Sequence, residues 1–152
     1  MNVRAILTNI VSFVTPQMHA TRQKAVIDCV HSLASGSAAT VTSIGRGIHS
    51  NAFEKHNIKR ADRLLSNTHL LREQALIYGA VCRLFCTAKH PTISIDWSDL
   101  DEAGRHFLLR AVLTFDGRPI TLYQEVHPLS TKEKPAVHKQ FLQMLSQLLP
   151  AE

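Results

Sequence analysis

The chain has 152 residues, of which 45% are apolar, so it can form one medium domain or two small ones with packed cores. It contains no run of about 18 uninterrupted apolar residues, and polar residues interrupt the apolar ones near the N-terminus, which argues against a membrane span and a signal peptide. Residues 1–90 hold eleven Lys and Arg against four acidic residues, a net charge of +7, whereas residues 91–152 carry −2. A basic first half favours a polyanionic partner, although a merely basic surface would give the same charge.

The first half has the apolar periodicity of helices. In residues 3–14 the apolar side chains recur at the helical period, from Val3 to Val14. The same reasoning predicts further helices at 17–34, within 40–48, at 56–66 and at 69–87. In the helix at 56–66 the predicted buried stripe consists of Ile58, Ala61, Leu64 and Leu65.

The segment Thr40–Ser66 is a candidate helix-turn-helix, because a short helix and a turn precede a second helix rich in Lys and Arg. Burial of the apolar stripe would leave polar side chains near the outward face, where Lys and Arg contact phosphates and Asn and Arg can also read base edges. A solvated basic helix face is the alternative. The predicted DNA-binding residues are Arg46, Lys55, His56, Asn57, Lys59, Arg60 and Arg63.

After Lys89–Pro91 the periodicity changes from helical to strand-like, and the main domain boundary is placed there, giving regions 1–90 and 91–152. The pattern predicts strands at 92–97, 107–115 and 118–126, with Asp116-Gly117 as a hairpin turn, and a helix at 131–149 with a capping box from Ser130 to Glu133. The fold class is therefore α+β. In the third strand the apolar residues Ile120, Leu122 and Val126 share one parity, and Glu125 has the other.

Asp96 stands at the exit of the first predicted strand, where a rigid backbone would hold its carboxylate for a hard cation such as Mg²⁺ or Mn²⁺. The alternative is a capping residue in an acidic loop. A two-metal site needs several converging carboxylates, and none of the later acidic residues is a convincing partner.

The three cysteines, Cys29, Cys82 and Cys86, are an odd and sparse set, which favours reduced thiols and a cytoplasmic location. Cys82, Cys86 and His90 recur at intervals of four, as metal ligands on one helical face would. No fourth ligand accompanies them, so small apolar helix residues are the simpler interpretation.

Several stretches together resemble one family, the IS-four group of bacterial cut-and-paste DDE transposases. Lys55–Asn67 resembles its "KHNIKR-x-DRLL-x-N" segment, and Ile93–Asp99 resembles its first catalytic strand, "VDWSD". Arg118–Tyr123 resembles its "GR-x-(I/V)TLY" strand, and His127–Ser130 resembles the family's segment directly after that strand. The resemblance covers roughly residues 40–150 in the same order and spacing.

The resemblance implies an RNase H-like catalytic domain beginning near residue 91, with Asp96 as the first catalytic Asp and a ligand of two divalent metals, Mg²⁺ or Mn²⁺. It also implies that the segment 55–63 belongs to the region that recognises the terminal inverted repeats of the element. In this family the metals activate first water and then a 3′-hydroxyl for in-line attack on DNA phosphodiesters.

The resemblance also implies a second Asp on a strand after the helix at 131–149 and a Glu on a much later helix, and both would come after Glu152. These 152 residues are therefore expected to be a truncated, catalytically incomplete transposase that binds terminal inverted repeats. The expected partners are DNA, a transposase dimer or a separate C-terminal half. Two alternatives stay open: a DNA-binding regulator that inhibits intact transposase, and a non-functional remnant.

Overall fold

A computed structural model describes residues 2–150 and has the predicted α+β class. Each predicted helix and strand has a counterpart, with ends that differ by a few residues. None of the helices among the described residues is long and apolar enough to cross a membrane. The elements are α1 (Val3–Val14), α2 (Ala20–Ala34), α3 (Val41–Arg46), α4 (Glu54–Leu65), α5 (Thr68–Phe85), β1 (Ile93–Asp99), β2 (His106–Phe115), β3 (Arg118–Pro128), a 3-10 turn (Leu129–Thr131) and α6 (Pro135–Leu148).

The contacts divide the chain into two compact units, residues 1–74 and 75–152. The division lies inside α5, earlier than the change of periodicity at residue 90. The reason is that Cys82 and Cys86, in the second half of α5, are buried in the same apolar core as β2, β3 and α6. The first half of α5 belongs to the other unit, where Leu70 packs on its core.

The first unit is helical, and its core lies among α2, α3 and α4. The buried side chains of that core are Cys29, Ile44, Ile48, Ala61 and Leu64. Burial of these side chains removes apolar area from water and supplies the main stabilising free energy of the unit.

Two predicted apolar stripes of the first unit are only partly buried. On α1, Val11 and Val14 are buried, whereas Ile6 and Ile10 on the same predicted stripe are exposed. On α4, Leu65 was predicted to be buried but is 62% exposed, since it lies in the last turn of the helix, beyond the buried Leu64.

The second unit is a three-stranded antiparallel sheet, ordered β1-β2-β3, with α6 and the second half of α5 packed on one face. Phe141 of α6 is fully buried in that core, as are Leu109 of β2 and Leu122 of β3. Helix α6 begins at Pro135, and its N-cap is Lys134 without a side-chain cap hydrogen bond. The predicted Ser130–Glu133 capping box is therefore wrong: Pro135 sets the first turn, as proline commonly does.

A β-bulge interrupts the pairing of β2 with β3. Ala111 pairs with Tyr123 and Val112 pairs with Thr121, so Leu122 is left without a partner. Because side chains alternate along a strand, one extra residue exchanges the faces of all later side chains. This change of face accounts for two errors in the predicted parity: Val126 is 55% exposed, and Glu125 lies on the face packed by α6.

Candidate nucleic-acid interface and the Asp96 region

The predicted recognition helix α4 is held against α3 by a very close backbone approach. A Cβ atom on Gly45 would lie 2.4 Å from Ile58 Cα, so only glycine fits at this crossing. Thr40 caps α3 through a hydrogen bond that its hydroxyl accepts from Ser43 N, 3.2 Å away. Residues 47–53 join the two helices, a longer connection than the three or four residues of the simplest helix-turn-helix motifs.

Asn57 was predicted to face outward, and that prediction is wrong. Its side chain is buried, and its amide donates to the Ile48 carbonyl at 3.2 Å while accepting from the Ser50 hydroxyl at 2.8 Å. A buried side-chain amide whose nitrogen and oxygen are both hydrogen-bonded has a structural role. Asn57 therefore anchors the connection between α3 and α4 and is not available to read bases.

Arg60 is committed to an internal ion pair. The Asp28 side chain is 1% exposed, and its two oxygens accept from Arg60, at 2.9 Å, and from Arg4 of α1. A buried carboxylate needs such partners because desolvation of a lone charge is costly. The Arg60 side chain is 30% exposed, so it remains at the surface, but much of its charge is balanced by Asp28.

The remaining predicted residues on α4 are exposed: Lys55, His56, Lys59 and Arg63. Their spacing along the helix places them on its solvent side, opposite the buried Ala61. Arg46, at the end of α3, is also exposed, but its Nε lies 3.0 Å from Glu54 Oε1. The structure thus brings four predicted DNA-binding side chains to one side of α4, with Arg46 paired nearby.

An open groove of about 450 Å³ lies between α2 and α4. Its α4 wall includes His56, Lys59 and Arg63, which the sequence predicted as binding residues. Its α2 wall includes Thr21 and Lys24, which sequence reasoning missed. The basic charge of the segment was counted, but the tertiary packing that sets α2 beside α4 has no signature in the local pattern.

Asp96 was predicted at the exit of the first strand, but it lies in the middle of β1, because the strand continues to Asp99. Its side chain is exposed, and its Oδ1 accepts a hydrogen bond from Trp97 N at 2.8 Å. Its cross-strand neighbour in β2 is Arg110, a cation. Glu125 lies on the opposite face of the sheet. Among residues 2–150 no cluster of three or more His, Cys, Asp or Glu could hold a metal ion. The donor set around Asp96 in these residues therefore does not fit a two-metal site.

A polar row crosses the sheet face on which α6 packs. Glu125 accepts from the Tyr123 hydroxyl, and its other oxygen lies 2.8 Å from His127 Nε2. Trp97 Nε1 donates to His138 of α6 at 2.8 Å. Burial and the neighbouring Glu125 raise the pKa of Tyr123 well above its usual value. Sequence reasoning assigned no role to His127 and His138, and here they pair with the half-buried polar groups of Glu125 and Trp97 beside the core.

The cysteines are buried free thiols. Burial raises the pKa of Cys82 to about 11 and also raises the pKa of Cys86. His90, the third member of the predicted interval-of-four set, is exposed. The apolar-helix interpretation fits these positions, because both sulfur atoms lie in the core under the sheet.

Comparison with protein-family models, with curated proteins and with solved structures gave no match for this chain.

Proposed function

We propose that this chain is part of a cytoplasmic DNA transposase of the IS-four group and that its helical unit binds the terminal inverted repeats of the element, α3 and α4 acting as a helix-turn-helix. The observation that carries the proposal is the exposed basic side of α4, where Lys55, His56, Lys59 and Arg63 project from a helix fixed by Gly45. This surface falls within the stretch that resembles the family's motif.

The proposed role of the second unit is narrower. Its three strands and α6 are consistent with the opening of an RNase H-like domain, in which Asp96 would be the first catalytic carboxylate. The residues present do not complete a site for Mg²⁺ or Mn²⁺, so no catalytic step is assigned to them. DNA binding without strand cleavage is the activity proposed for these 152 residues.

A DNA-binding regulator that competes with intact transposase is the second candidate. Glu125 lies on the opposite sheet face from Asp96 and is bonded to Tyr123 and His127, so it adds no second carboxylate beside Asp96; a chain that binds repeats without cleaving them would compete with intact transposase. Inhibition of an intact transposase by this chain would separate the regulator from a remnant that binds DNA loosely. A transposase dimer or a separate C-terminal half are the protein partners consistent with either candidate.

The first experiment is a mobility-shift titration on the terminal repeat that flanks the gene, with a scrambled duplex of the same length. Lys59→Ala/Arg63→Ala should lose most of the binding to the terminal repeat, because it removes two exposed cations from α4. Arg60 is not substituted, because its removal would leave Arg4 as the remaining ion-pair partner of Asp28. A loss of binding would then not be distinguishable from a loss of folding.

The matched control is Lys134→Ala/Lys139→Ala, which removes the same charge from exposed positions of the second unit. It should bind the terminal repeat as the wild type does. Equal affinity of the wild-type protein for both duplexes would refute recognition of the repeat.

A further inference from the structure

The α2–α4 groove combines a concave shape with a positive charge that its own ion pairs do not neutralise. Two of its arginines form ion pairs within the unit. Arg22 Nη1 lies 2.6 Å from Glu73 Oε1, and Arg60 Nη1 lies 2.9 Å from Asp28 Oδ2. Lys24, Lys59 and Arg63 also line the groove, and none of them forms an ion pair with another described residue. Three cations therefore face one open space.

The paired arginines make the walls of the groove rigid. Asp28 joins α1, α2 and α4 through Arg4 and Arg60, and Arg22 joins α2 to α5 through Glu73. Gln23 Nε2 also donates to the Thr15 carbonyl at 2.6 Å, which fixes the first turn of α2. A cationic surface that is ordered before binding loses little conformational entropy when an anion arrives.

The chemistry of the lining favours an extended polyanion over a small molecule. Sites for small molecules are mostly apolar and enclose their ligand, whereas this groove is open and cationic. Thr21 adds a hydroxyl in the first turn of α2, where the helix dipole is positive. Lysine, arginine and threonine side chains at such a position are the usual donors to DNA phosphates.

We propose that the groove between α2 and α4 binds the phosphate backbone of duplex DNA, with Thr21 and Lys24 on one wall and Lys59 and Arg63 on the other. This inference rests on the proposed DNA binding and assigns a contact role to α2, which lies outside the motif segment. Phosphate contacts carry no sequence information, so the groove supplies affinity and orientation for any duplex.

The test is a fluorescence-anisotropy titration of Lys24→Ala against the terminal repeat and the scrambled duplex between 50 and 200 mM salt (about the range over which phosphate contacts are resolved). Loss of one phosphate contact should weaken binding to both duplexes by the same factor, about three- to tenfold, and reduce the slope of log K against log salt by about 0.9. Arg63→Ala, on the opposite wall, should have the same effect.

The control is Lys139→Ala, an exposed lysine of α6 whose loss changes the net charge equally and should leave both affinities unchanged. Circular dichroism melting should show that Lys24→Ala unfolds at the same temperature as the wild type, because Lys24 is exposed and forms no ion pair with another described residue.

The outcomes separate the two proposals. If both Lys24→Ala and Arg63→Ala leave the DNA affinity and the slope of log K against log salt unchanged, the proposal that the groove binds phosphates is overturned. This holds whether or not the wild type selects the terminal repeat. Equal binding of both duplexes by wild type, weakened in both variants, would overturn repeat recognition and support the groove. No binding to either duplex, or preferential binding of single-stranded RNA, would overturn both.

Discussion

At the scale of single residues, the most consequential side chain of the helical unit is Asp28, an acidic residue that no motif identified. It is buried on α2 and accepts from arginines on α1 and α4. The same contact explains why Arg60 is less free for DNA than its position in the motif implies. A basic sequence pattern counts charges, but it does not reveal which of them an internal carboxylate neutralises.

Asp28→Asn should destabilise the helical unit by about 2–3 kcal/mol. Breaking a fully buried pair costs about 3–5 kcal/mol, and the cost is lower here because the side chains of both arginines are partly exposed. Urea unfolding followed by circular dichroism measures the change. Glu54→Gln, which breaks the exposed pair with Arg46, is the matched control and should cost less than about 0.5 kcal/mol. Equal effects of the two substitutions would contradict the assignment.

The Cys82 thiol gives a prediction about pH. Its folded pKa, about 11, exceeds the ordinary value of 9.0 because the sulfur is buried. The thiol's contribution to stability is therefore complete below about pH 9 and falls as pH rises from 9 to 11, since only the unfolded chain gives up the proton there. Unfolding titrations at pH 8 and pH 10 should show this loss, and Cys82→Ala should reduce it. A thiol reagent that labels native Cys82 rapidly at pH 8 would disprove the burial argument.

At the scale of elements, the sequence predicts which segments are helices and strands, because apolar spacing and turn residues are local signals. It predicts less well which face is buried. Leu65 continues the apolar pattern of α4 yet ends in solvent, and Asn57 looks like a surface residue yet is buried under Ser50. The burial of Asn57 depends on the connection at 47–53, to which its amide is hydrogen-bonded, whereas Leu65 lies in the last turn of α4, beyond the buried Leu64.

Two helical glycines should respond in opposite ways to alanine. Gly45→Ala puts a methyl group into Ile58 Cα, a backbone atom that cannot give way, and should cost about 1–3 kcal/mol by forcing α3 from α4. Gly79→Ala meets only the flexible end of Arg83 at 3.4 Å and Leu148 at 3.8 Å, so it should gain about 0.5–1 kcal/mol from helix propensity. Thermal melting of both variants tests the pair. A stable Gly45→Ala protein with wild-type DNA affinity would show that the close crossing is unnecessary.

At the scale of the whole molecule, the charge of the sequence differs between the two units: the helical unit is basic, and the sheet unit is less basic. The candidate site was predicted in part. Lys55, His56, Lys59 and Arg63 are exposed together, but Thr21 and Lys24 are contributed by a helix more than 30 residues earlier. Such a pairing depends on packing between distant segments, which a local pattern does not encode.

The bulge at Leu122 also determines how the chain tolerates the loss of a residue. Deleting one residue from a strand ordinarily turns every later side chain to the wrong face. Leu122 has no partner in β2, so its deletion would bring Thr121 and Tyr123 into regular succession opposite Val112 and Ala111. The alternation of side chains would be kept on both sides of the deletion, and the remaining damage would be the loss of one leucine from the core. Within β3, Leu122 is therefore the position at which a deletion should do least damage to the sheet.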